Sequence, residues 1–480
     1  MRLPPDPTRK ILRPYLPPGH DSPPSGGNRV ERIIDRALSL SPKERSATLD
    51  EVYRDFAARW VDLDEALMNG YRAAEHQAPS LSTIDEDERR LIGAYFLHEY
   101  SVEGAALTNP SIVTHPDQSG LAEGVLRVVI SLRAVGEGHI SSIEFRIGEV
   151  GPDGEVEVAD AAPLLQGNRE TPLFDKAVFS ARLEGLGADT ELLGIALGGL
   201  DELFTMAELD EVLSTLEANP TSTPVTSQVI HTMHWLASSN YEVKFSPETD
   251  LSQRILTPSG PAESHGMEDA RFVRFTDSDG SVTYYGTYTA FDGINILPQL
   301  IETTDFVTFR VATLNGSAAV NKGIALFPRR IGGRYVAMGR SDGESNYLMT
   351  SDHVRFWDQA DLIQVPAQPW ELMQIGNAGA PIETDAGWLV ITHGVGPIRQ
   401  YALGAVLLDL DEPTRVIGHL NEPLLVPGDD ERDGYVPNVV YSCGSLIHDN
   451  NLIIAYGASD TSTGFATAPV DAVLSALTGS

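Results

Sequence analysis

The sequence has one cysteine, few basic residues and no long apolar run, and each shortage excludes a class of protein. Because Cys443 is the only cysteine, no internal disulfide and no cysteine-based zinc site can form. The formal net charge of -34 argues against binding to nucleic acid and against attachment to an anionic membrane. No stretch approaches the roughly 18 apolar residues of a membrane helix. A small, neutral or hydroxyl-rich partner remains compatible with this surface.

The N-terminal sequence also lacks the pattern of a signal peptide. The stretch that begins MRLPPDPTRKILRP is interrupted by prolines and contains no apolar core of signal-peptide length. The near absence of cysteine fits a reducing compartment. We therefore expect a cytoplasmic protein without metal or organic cofactor, and we leave a homo-oligomer open.

The first hundred residues divide into two parts. Residues 1–28 are rich in proline and glycine, which predicts a flexible arm. From residue 29 to about 100, apolar residues recur every three to four positions, which predicts an α-helical region. Ser41 and Glu44 have the spacing of a capping box, and a further helix is expected to begin near Ser82.

After residue 100 the pattern changes to short apolar runs separated by Gly, Asp and Asn, which is typical of β-strands. A strand–turn–strand pattern occurs five times, at 109–134, 271–290, 324–340, 380–394 and 438–457. The last four units begin about 55 residues apart, a period that favours a β-propeller whose blades each direct a loop toward a central funnel. We therefore predict a mainly β, five-bladed propeller over residues 101–480. A β-sandwich with helices would explain the strands but not their recurrence.

An insertion separates the first two units. It covers about residues 148–245 and is predicted to be partly helical, at 206–219 and again in VTSQVIHTMHWLASS. His231 and His234 lie in the second of these segments, and we interpret them as structural helix residues because no third metal ligand has a characteristic spacing.

Polar residues recur at equivalent places in the five units. Because the axis of a propeller brings equivalent positions together, their mixture of acid, cation and aromatic side chains would suit a sugar together with an anion. Those before the first strands are Asn109, Glu268, Asp269, Arg271, Asn321, Lys322, Asn377 and Asn438, and those at the ends of the second strands are Arg133, Tyr288, Arg340, His393, Tyr456 and Asp460.

The sequence HGMEDARFVRF is the most informative of these junctions. Glu268, Asp269 and Arg271 stand side by side where a strand begins. They could form an ordinary surface salt bridge, or they could hold a catalytic carboxylate in a funnel. The repeat favours the second interpretation.

Four segments together resemble glycoside hydrolase family 130, the β-mannoside phosphorylases and β-1,2-mannosidases on a five-bladed propeller. They are GMEDARFVRF…YYGTYTAFDG, KGIALFPRRIGGRYVAMGR, GAPIETDAGWLVITHGVG and GYVPNVVYSCG…LIIAYGASD. The resemblance covers about 105–147 and 240–475, and it does not include the N-terminal helices or the insertion. The family motif is Glu-Asp-Pro-Arg, in which Ala270 here replaces the proline.

The resemblance implies a role for each matching residue. Asp269 would be the catalytic acid, protonating the glycosidic oxygen through the 3-hydroxyl of the mannosyl unit. Phosphate would lie among Lys322, Arg340 and His393, with Arg133 and Arg271 nearby. The residues expected to contact or orient the sugar are Asn109, Arg133, Glu268, Arg271, Tyr288, Asn377 and Asp460.

Three functions are consistent with this reading. An inverting displacement needs an acid and, on the opposite face of the sugar, an activated water or a nucleophile that is already anionic. The retained cations favour inorganic phosphate as that nucleophile, so we predict phosphorolysis of β-1,2- or β-1,4-mannosides to α-mannose 1-phosphate. An inverting β-1,2-mannosidase would instead need a base, for which Glu383 and Glu431 are candidates. A sugar-binding propeller without catalysis is the third possibility, and the retained Asp269 speaks against it.

Overall fold

A computed structural model of the chain describes all residues except 18–28, 61, 76–77, 79–83, 172, 186–187, 219–223 and 480. The described residues are mainly β, with helices near the N-terminus, in the insertion and at the C-terminus. They form two compact units. One comprises Thr8–Ser101, and the other comprises Met1–Pro7 together with Val102–Ser480.

The smaller unit is a set of helices with one two-stranded sheet. Strand β1 (Arg2–Leu3) precedes it and belongs to the larger unit. The elements of the smaller unit are β2 (Lys10–Pro14), α1 (Arg29–Ser39), α2 (Pro42–Phe56), α3 (Leu63–Glu75), α4 (Glu86–Tyr95) and β3 (Leu97–Ser101). β2 and β3 pair in antiparallel fashion.

Capping explains where two of these helices begin. Ser41 caps α2 in the predicted capping box with Glu44. The helix expected near Ser82 starts only at Glu86, because Asp85 and Glu88 form a second capping box there, and Ser82 itself lies outside the described residues. The segment 1–28, expected to be a flexible arm, contains β1 and β2, and its residues 18–28 lie outside the description.

The larger unit contains five successive antiparallel strand groups, which we number 1 to 5. Group 1 is β4 (Ala106–Thr114), β5 (Leu126–Val135) and β6 (Ser141–Val150). The insertion follows, with β7 (Val156–Val158), β8 (Leu165–Gln166), β9 (Asn168–Glu170), β10 (Phe174–Asp175), α5 (Lys176–Gly185), α6 (Thr190–Gly198), β11 (Leu203–Phe204), α7 (Met206–Glu217), α8 (Pro224–Ser238), β12 (Tyr241–Lys244) and β13 (Arg254–Leu256).

Groups 2 to 5 follow in chain order. Group 2 is β14 (Gly266–Thr276), β15 (Val282–Phe291), β16 (Ile296–Thr303) and β17 (Thr308–Thr313). Group 3 is β18 (Ala325–Leu326), β19 (Tyr335–Gly339), β20 (Asn346–Ser351) and β21 (Gln359–Gln364). Group 4 is β22 (Gln374–Asn377), β23 (Ile382–Thr384), β24 (Gly387–Val395), β25 (Tyr401–Leu408) and β26 (Val416–His419). Group 5 is β27 (Val440–His448), β28 (Asn451–Ala458) and β29 (Ser462–Pro469), followed by helix α9 (Val470–Thr478).

The sheet topology largely follows these groups. Groups 3 and 4 are separate sheets, and β1 pairs with β29 to add a fourth strand to group 5. Groups 1 and 2 share one 12-stranded sheet because β6 and β14 form a single parallel pair, Ser141 with Gly266, and because insertion strands extend its far edge. The five predicted strand–turn–strand units are all present as antiparallel pairs.

Successive groups pack against each other through apolar side chains, which explains why the strands read as continuous apolar runs. In β24, for example, Leu389 and Ile391 belong to the core shared with group 5, whereas Trp388 and Val390 belong to the core shared with group 3. Neighbouring residues of a strand point to opposite faces, so both faces of β24 are buried.

The insertion has a core of its own. Phe174, Phe179 and Phe204 pack with leucines from α5, α6, α7 and α8. The predicted helix at 206–219 is present as α7 and the helix in VTSQVIHTMHWLASS is present as α8, whereas α5 and α6 were not predicted. No helix among the described residues is long and apolar enough to cross a membrane.

Candidate active site

Four polar residues share a left-handed backbone at the start of the strand groups. Asn109, Asp269, Asn321 and Asn438 have φ angles of 47, 56, 66 and 62°. Asn and Asp tolerate this conformation better than other residues with a side chain. Asn109 and Asp269 also lie in bulges at the same place of β4 and β14, where the register shifts between Thr108 and Ser111 and between Glu268 and Arg271. The shared bulge therefore turns the backbone of Asn109 and of Asp269 in the same way at equivalent places of their strands.

Asp269 lies between a neutral donor and a cation. The Asn109 Nδ2 amide donates a hydrogen bond to Asp269 Oδ1 at 2.8 Å, and Arg133 Nη1 lies 3.8 Å from the same oxygen. The side chain of Asp269 is 13% exposed, so it is largely withdrawn from water yet reachable. Arg271 Nη1 donates to the backbone oxygen of Asp269 at 2.9 Å, which fixes the bulge from the other side.

Glu268 is held by two cations. Arg133 Nη2 donates to its Oε1 at 2.7 Å, and Lys322 Nζ donates to its Oε2 at 2.6 Å. Charge-assisted bonds of this length hold both partners firmly. Glu268 therefore serves as an anchor that brings Lys322 of group 3 to the bulge of group 2, and its oxygens are both occupied.

Asp460 and Arg133 complete this part of the cluster. Burial raises the pKa of the Asp460 carboxyl, and repulsion from Asp269 adds to the shift although Arg133 opposes it. Burial lowers the pKa of Arg133, but the carboxylates of Glu268 and Asp269 outweigh this effect and raise it overall. Arg133 therefore stays charged among three carboxylates.

Arg271 points into a second part of the cluster. Its Nη2 donates to the hydroxyl of Tyr441 at 2.7 Å, and its guanidinium carbon lies 5.9 Å from the centre of the same ring. Arg271 is buried, and its pKa is raised because Tyr441, Cys443 and Asp269 outweigh the effect of burial, which lowers it. Burial likewise raises the pKa of the Tyr441 hydroxyl. The pair therefore presents a charged guanidinium and a neutral phenol.

His393 lies against Arg340 and Tyr441. Its Nδ1 is 3.2 Å from the backbone oxygen of Asn377, and its Nε2 is 3.4 Å from Arg340 Nη1. Burial, and then the charges of Arg340 and Arg271, hold the pKa of His393 well below its usual value. His393 is therefore a neutral ring that donates from Nδ1 and accepts at Nε2, so it orients Arg340 and does not add a charge.

Asn377 links group 4 to group 3. Its side-chain Nδ2 donates to the backbone oxygen of Gly323 at 2.5 Å, one residue after Lys322. Gly323 has a φ of 86°, and a Cβ added there would lie 3.7 Å from Arg271 Nη2. Asn377, Lys322 and Arg271 are thereby brought to one place.

Tyr288 lines a small cavity together with Arg271 and Asn321, but its hydroxyl has its partner in the core. It lies in the core between groups 1 and 2, and its hydroxyl donates to Glu263, which also accepts from Tyr241 at 3.0 Å. Because residues alternate along β15, Thr287 and Thr289 lie on the opposite face from Tyr288. Its position at a strand end, on which the expectation rested, does not fix which face it occupies.

The two candidate hydrolase bases have other partners. Glu383 is 43% exposed and forms a two-bond ion pair with Arg329, which lowers its pKa. It pairs with Trp388, five residues and therefore about 17 Å along β24 from His393. Glu431 is buried, and its Oε1 accepts from Arg2 at 2.8 Å and from Tyr456 at 2.7 Å.

Tyr441 is the residue that the sequence interpretation missed. It contacts Arg271 through its hydroxyl, and its ring centre lies 4.8 Å from that of His393. Its place near the start of the fifth unit, in NVVYSCG three residues after Asn438, is the signal that could have pointed to it. Within the described part of the chain, no group of three His, Cys, Asp or Glu side chains is arranged to hold a metal.

The relatives found by comparison with known proteins include several β-mannoside phosphorylases. The 1,2-beta-oligomannan phosphorylase of Thermoanaerobacter sp. (strain X514) is 33% identical over 222 residues, which are 45% of this chain and 72% of that protein. The beta-1,2-mannobiose phosphorylase of Listeria innocua serovar 6a is 31% identical over 215 residues, 43% of this chain and 59% of that protein. The solved structure of a beta-1,2-mannobiose phosphorylase from Listeria innocua with beta-1,2-mannobiose has 20% identity and a TM-score of 0.46, over 79% of this chain and 94% of that one.

A family model gives the assignment. The model of glycoside hydrolase family 130, described as beta-1,4-mannooligosaccharide phosphorylase, matches residues 226–478, more than half of the chain. The match begins within α8 and contains Asp269, Lys322, Arg340 and His393. The resemblance inferred from the motifs is thus confirmed, and this chain belongs to glycoside hydrolase family 130.

Proposed function

We propose that this protein cleaves β-mannosidic linkages by phosphorolysis, with inversion, to give α-mannose 1-phosphate. The observation that carries the proposal is the set of cations around Asp269. Arg133 lies beside Asp269, Lys322 is joined to it through Glu268, and Arg271 and Arg340 lie on the side of His393. Relatives named as phosphorylases of β-1,2- and β-1,4-mannosides support the same reaction.

Asp269 is the proposed proton donor. As the resemblance to the family implies, its proton reaches the glycosidic oxygen through the 3-hydroxyl of the mannosyl unit. The bond from Asn109 Nδ2 goes to Oδ1, so Asn109 does not occupy Asp269 Oδ2, the oxygen proposed to face that hydroxyl. As the C1–O bond breaks, a phosphate oxygen forms the new bond at C1 from the opposite face, and the leaving sugar keeps the proton.

Phosphate is the proposed nucleophile because it needs no base. It would bind through Lys322 and Arg340, with Arg271 as a third donor and the neutral His393 as the support of Arg340. Guanidinium groups bind phosphate through paired hydrogen bonds, and a partly buried cation attracts an anion more strongly than an exposed one. The proposed sugar contacts are Asn109, Arg133, Glu268, Asn377 and Asp460.

The partners of the other carboxylates support phosphorolysis over hydrolysis. A hydrolase needs a carboxylate free to take a proton from water. Glu268 is bound by two cations, Glu383 is engaged by Arg329, and Glu431 accepts from Arg2 and Tyr456.

Hydrolysis is the second candidate, and Asp460 is the residue that favours it. Its carboxyl belongs to the same cluster, and burial raises its pKa, which makes it a better proton acceptor than an exposed carboxylate. If Asp460 were the base, the chain would be an inverting β-1,2-mannosidase.

The rate of cleavage with and without phosphate tests the proposal. β-1,2- and β-1,4-mannobiose would each be incubated with the enzyme in a phosphate-free buffer and again with about 10 mM phosphate, which exceeds the usual KM values of up to about 1 mM. We expect cleavage only with phosphate. Equal release of free mannose in both buffers would establish the hydrolase instead.

We further propose that groups 1 to 5 are the blades of a five-bladed propeller within residues 101–480, with the insertion between the first two blades. Contacts between the groups support this arrangement. Asn109 meets Asp269 between groups 1 and 2, Asn377 meets Gly323 between groups 4 and 3, and Arg271 meets Tyr441 between groups 2 and 5. A Cβ on Gly444 of group 5 would lie 2.4 Å from Ser111 Oγ of group 1, so the last group adjoins the first.

A further inference from the structure

A cavity lies between the insertion and group 2, next to the proposed active site. Its volume is about 790 Å³, within the range of pockets that hold small organic ligands. One wall is formed by helices α5 and α8 of the insertion, and the other by the loops around residues 292–298 and 315–321. The family match begins at residue 226, so helix α5 lies outside it, whereas the residues of α8 that line the cavity lie within it.

The wall from α8 carries polar and aromatic groups on one side of the helix. Gln228, His231, Thr232 and Trp235 all line the cavity. Their spacing of three, four and seven residues places them on one face of an α-helix. Trp235 is half-buried, and its ring system offers an apolar surface with one N–H donor. Rings of this kind stack on the apolar faces of sugar rings.

Arg182 adds a cation from α5. Its guanidinium lines the cavity, and within the described residues its buried Nε has no hydrogen-bond partner. Burial lowers its pKa to about 10. Arg182 therefore remains charged at neutral pH, and its Nε–H group is available to donate to an oxygen of a ligand.

Two loops connect the cavity to the catalytic cluster. Asn321 lines the cavity and directly precedes Lys322, whose ammonium contacts Glu268. Asp292 also lines the cavity and directly follows Phe291, whose ring centre lies 5.6 Å from the same ammonium group. On each loop, a residue that lines the cavity is therefore adjacent in sequence either to Lys322 or to Phe291, whose ring contacts Lys322.

We propose that this cavity binds sugar units beyond the two that flank the scissile bond, so that the insertion selects β-mannooligosaccharides over the disaccharide. The inference rests on the proposed function. Trp235 stacks on a mannosyl ring, while Arg182 and Gln228 donate to its hydroxyl oxygens. Arg182 is not among the cations proposed to bind phosphate, so cleavage of the disaccharide should not require it.

The test compares a tetrasaccharide with the disaccharide in wild type, Arg182→Met and Trp235→Leu. Arg182→Met keeps most of the apolar stem, so it remains informative if loss of the indole disturbs folding. We expect kcat/KM for β-mannotetraose to fall about tenfold in each folded variant, while kcat/KM for β-mannobiose stays within about twofold, since a lost charge-assisted hydrogen bond is worth about that much. Arg415→Met, which removes an exposed arginine paired with Asp409, is the matched control and should change neither value.

The outcomes separate the inference from the proposed function. If Arg182→Met lowers both values equally, or neither, while wild type phosphorolyses mannobiose, the cavity is not an extended sugar site. If wild type cleaves no mannoside with phosphate, the proposed function fails first. In that case the inference is judged by calorimetric titration of Asp269→Asn and of the Asp269→Asn/Arg182→Met double variant with mannotetraose. Equal affinities would overturn it, and about tenfold weaker binding by the double variant would support it.

Discussion

Asn109 Nδ2 donates a hydrogen bond to Asp269 Oδ1 at 2.8 Å, and both residues have a left-handed backbone. The two positions lie 160 residues apart in the chain, in the first strands of groups 1 and 2. The contact leaves the second carboxylate oxygen of Asp269 without a bond from Asn109. This is the geometry on which the proposed acid depends.

Replacing Asp269 by Asn should abolish turnover and leave the fold intact. Asn tolerates the left-handed backbone at φ 56°, so the bulge should survive. Loss of a general acid commonly costs 10²–10⁴-fold, and we expect kcat to fall roughly 10³-fold. Steady-state kinetics and a melting curve check this. Asp385→Asn, an exposed acid in a hairpin turn, is the control and should match wild type. Near wild-type turnover by Asp269→Asn would show that Asp269 is not the catalytic acid.

Lys322 should control the affinity for phosphate. Its Nζ lies 2.6 Å from Glu268, and its side chain is one-third exposed, so it can turn to an incoming anion. Lys322→Met is expected to raise KM for phosphate tenfold or more, in line with the roughly 1.5–3 kcal/mol of a charge-assisted hydrogen bond, with a smaller effect on KM for mannobiose. Lys244→Met, at a surface ion pair with Glu170, is the matched control. An unchanged KM for phosphate would exclude Lys322 from the binding site.

Glu383 and Glu431 should prove structural. Glu383→Gln breaks a surface pair with Arg329 and should cost less than about 1 kcal/mol of stability, with kcat unchanged. Glu431→Gln weakens buried bonds from Arg2 and Tyr456, so we expect a cost of about 1–3 kcal/mol with kcat within about threefold. Melting temperatures and kinetics of both variants check this. A hundredfold loss of kcat in either one, with the fold intact, would instead identify a base.

His393 should make stability decline in mild acid. Its folded-state pKa lies below 6.5, so below that pH the unfolded chain binds a proton that the folded protein does not. Stability is therefore full above pH 6.5 and lost as the pH falls, by about 1.4 kcal/mol per unit. The drop in melting temperature between pH 7.5 and 5.5 should be smaller in His393→Asn than in wild type. His419→Asn, an exposed histidine, should keep the wild-type drop, and an equal drop in His393→Asn would contradict a buried neutral ring.

The sequence predicted those features that depend on local pattern. Strand pairs, the capping box at Ser41 and helix α7 follow from periodicity and turn residues, and the structure confirms them. The family assignment followed from motifs whose order matches the repeats. Asn109 and Asp269 are brought together because their strands share the same bulge with a left-handed backbone.

The contacts that the sequence did not indicate join residues that are distant in the chain. Nothing local indicates that Glu383 pairs with Arg329, 54 residues earlier, or that Glu431 bonds to Arg2 at the other end of the chain. Tyr288 was expected to contact sugar, but it lies on the core face of β15, where Glu263 accepts its hydroxyl. Helices α5 and α6 went unpredicted because α6 is apolar on more than one side and α5 has little periodicity.

The first product formed from β-mannobiose shows directly whether the enzyme acts by phosphorolysis with inversion. A reaction with excess phosphate would be followed by ¹H and ³¹P nuclear magnetic resonance from the first turnover. We expect α-mannose 1-phosphate and one free sugar in equal amounts, because phosphate attacks the face opposite the leaving group. The β anomer of the sugar phosphate, or free mannose with no sugar phosphate, would contradict this expectation.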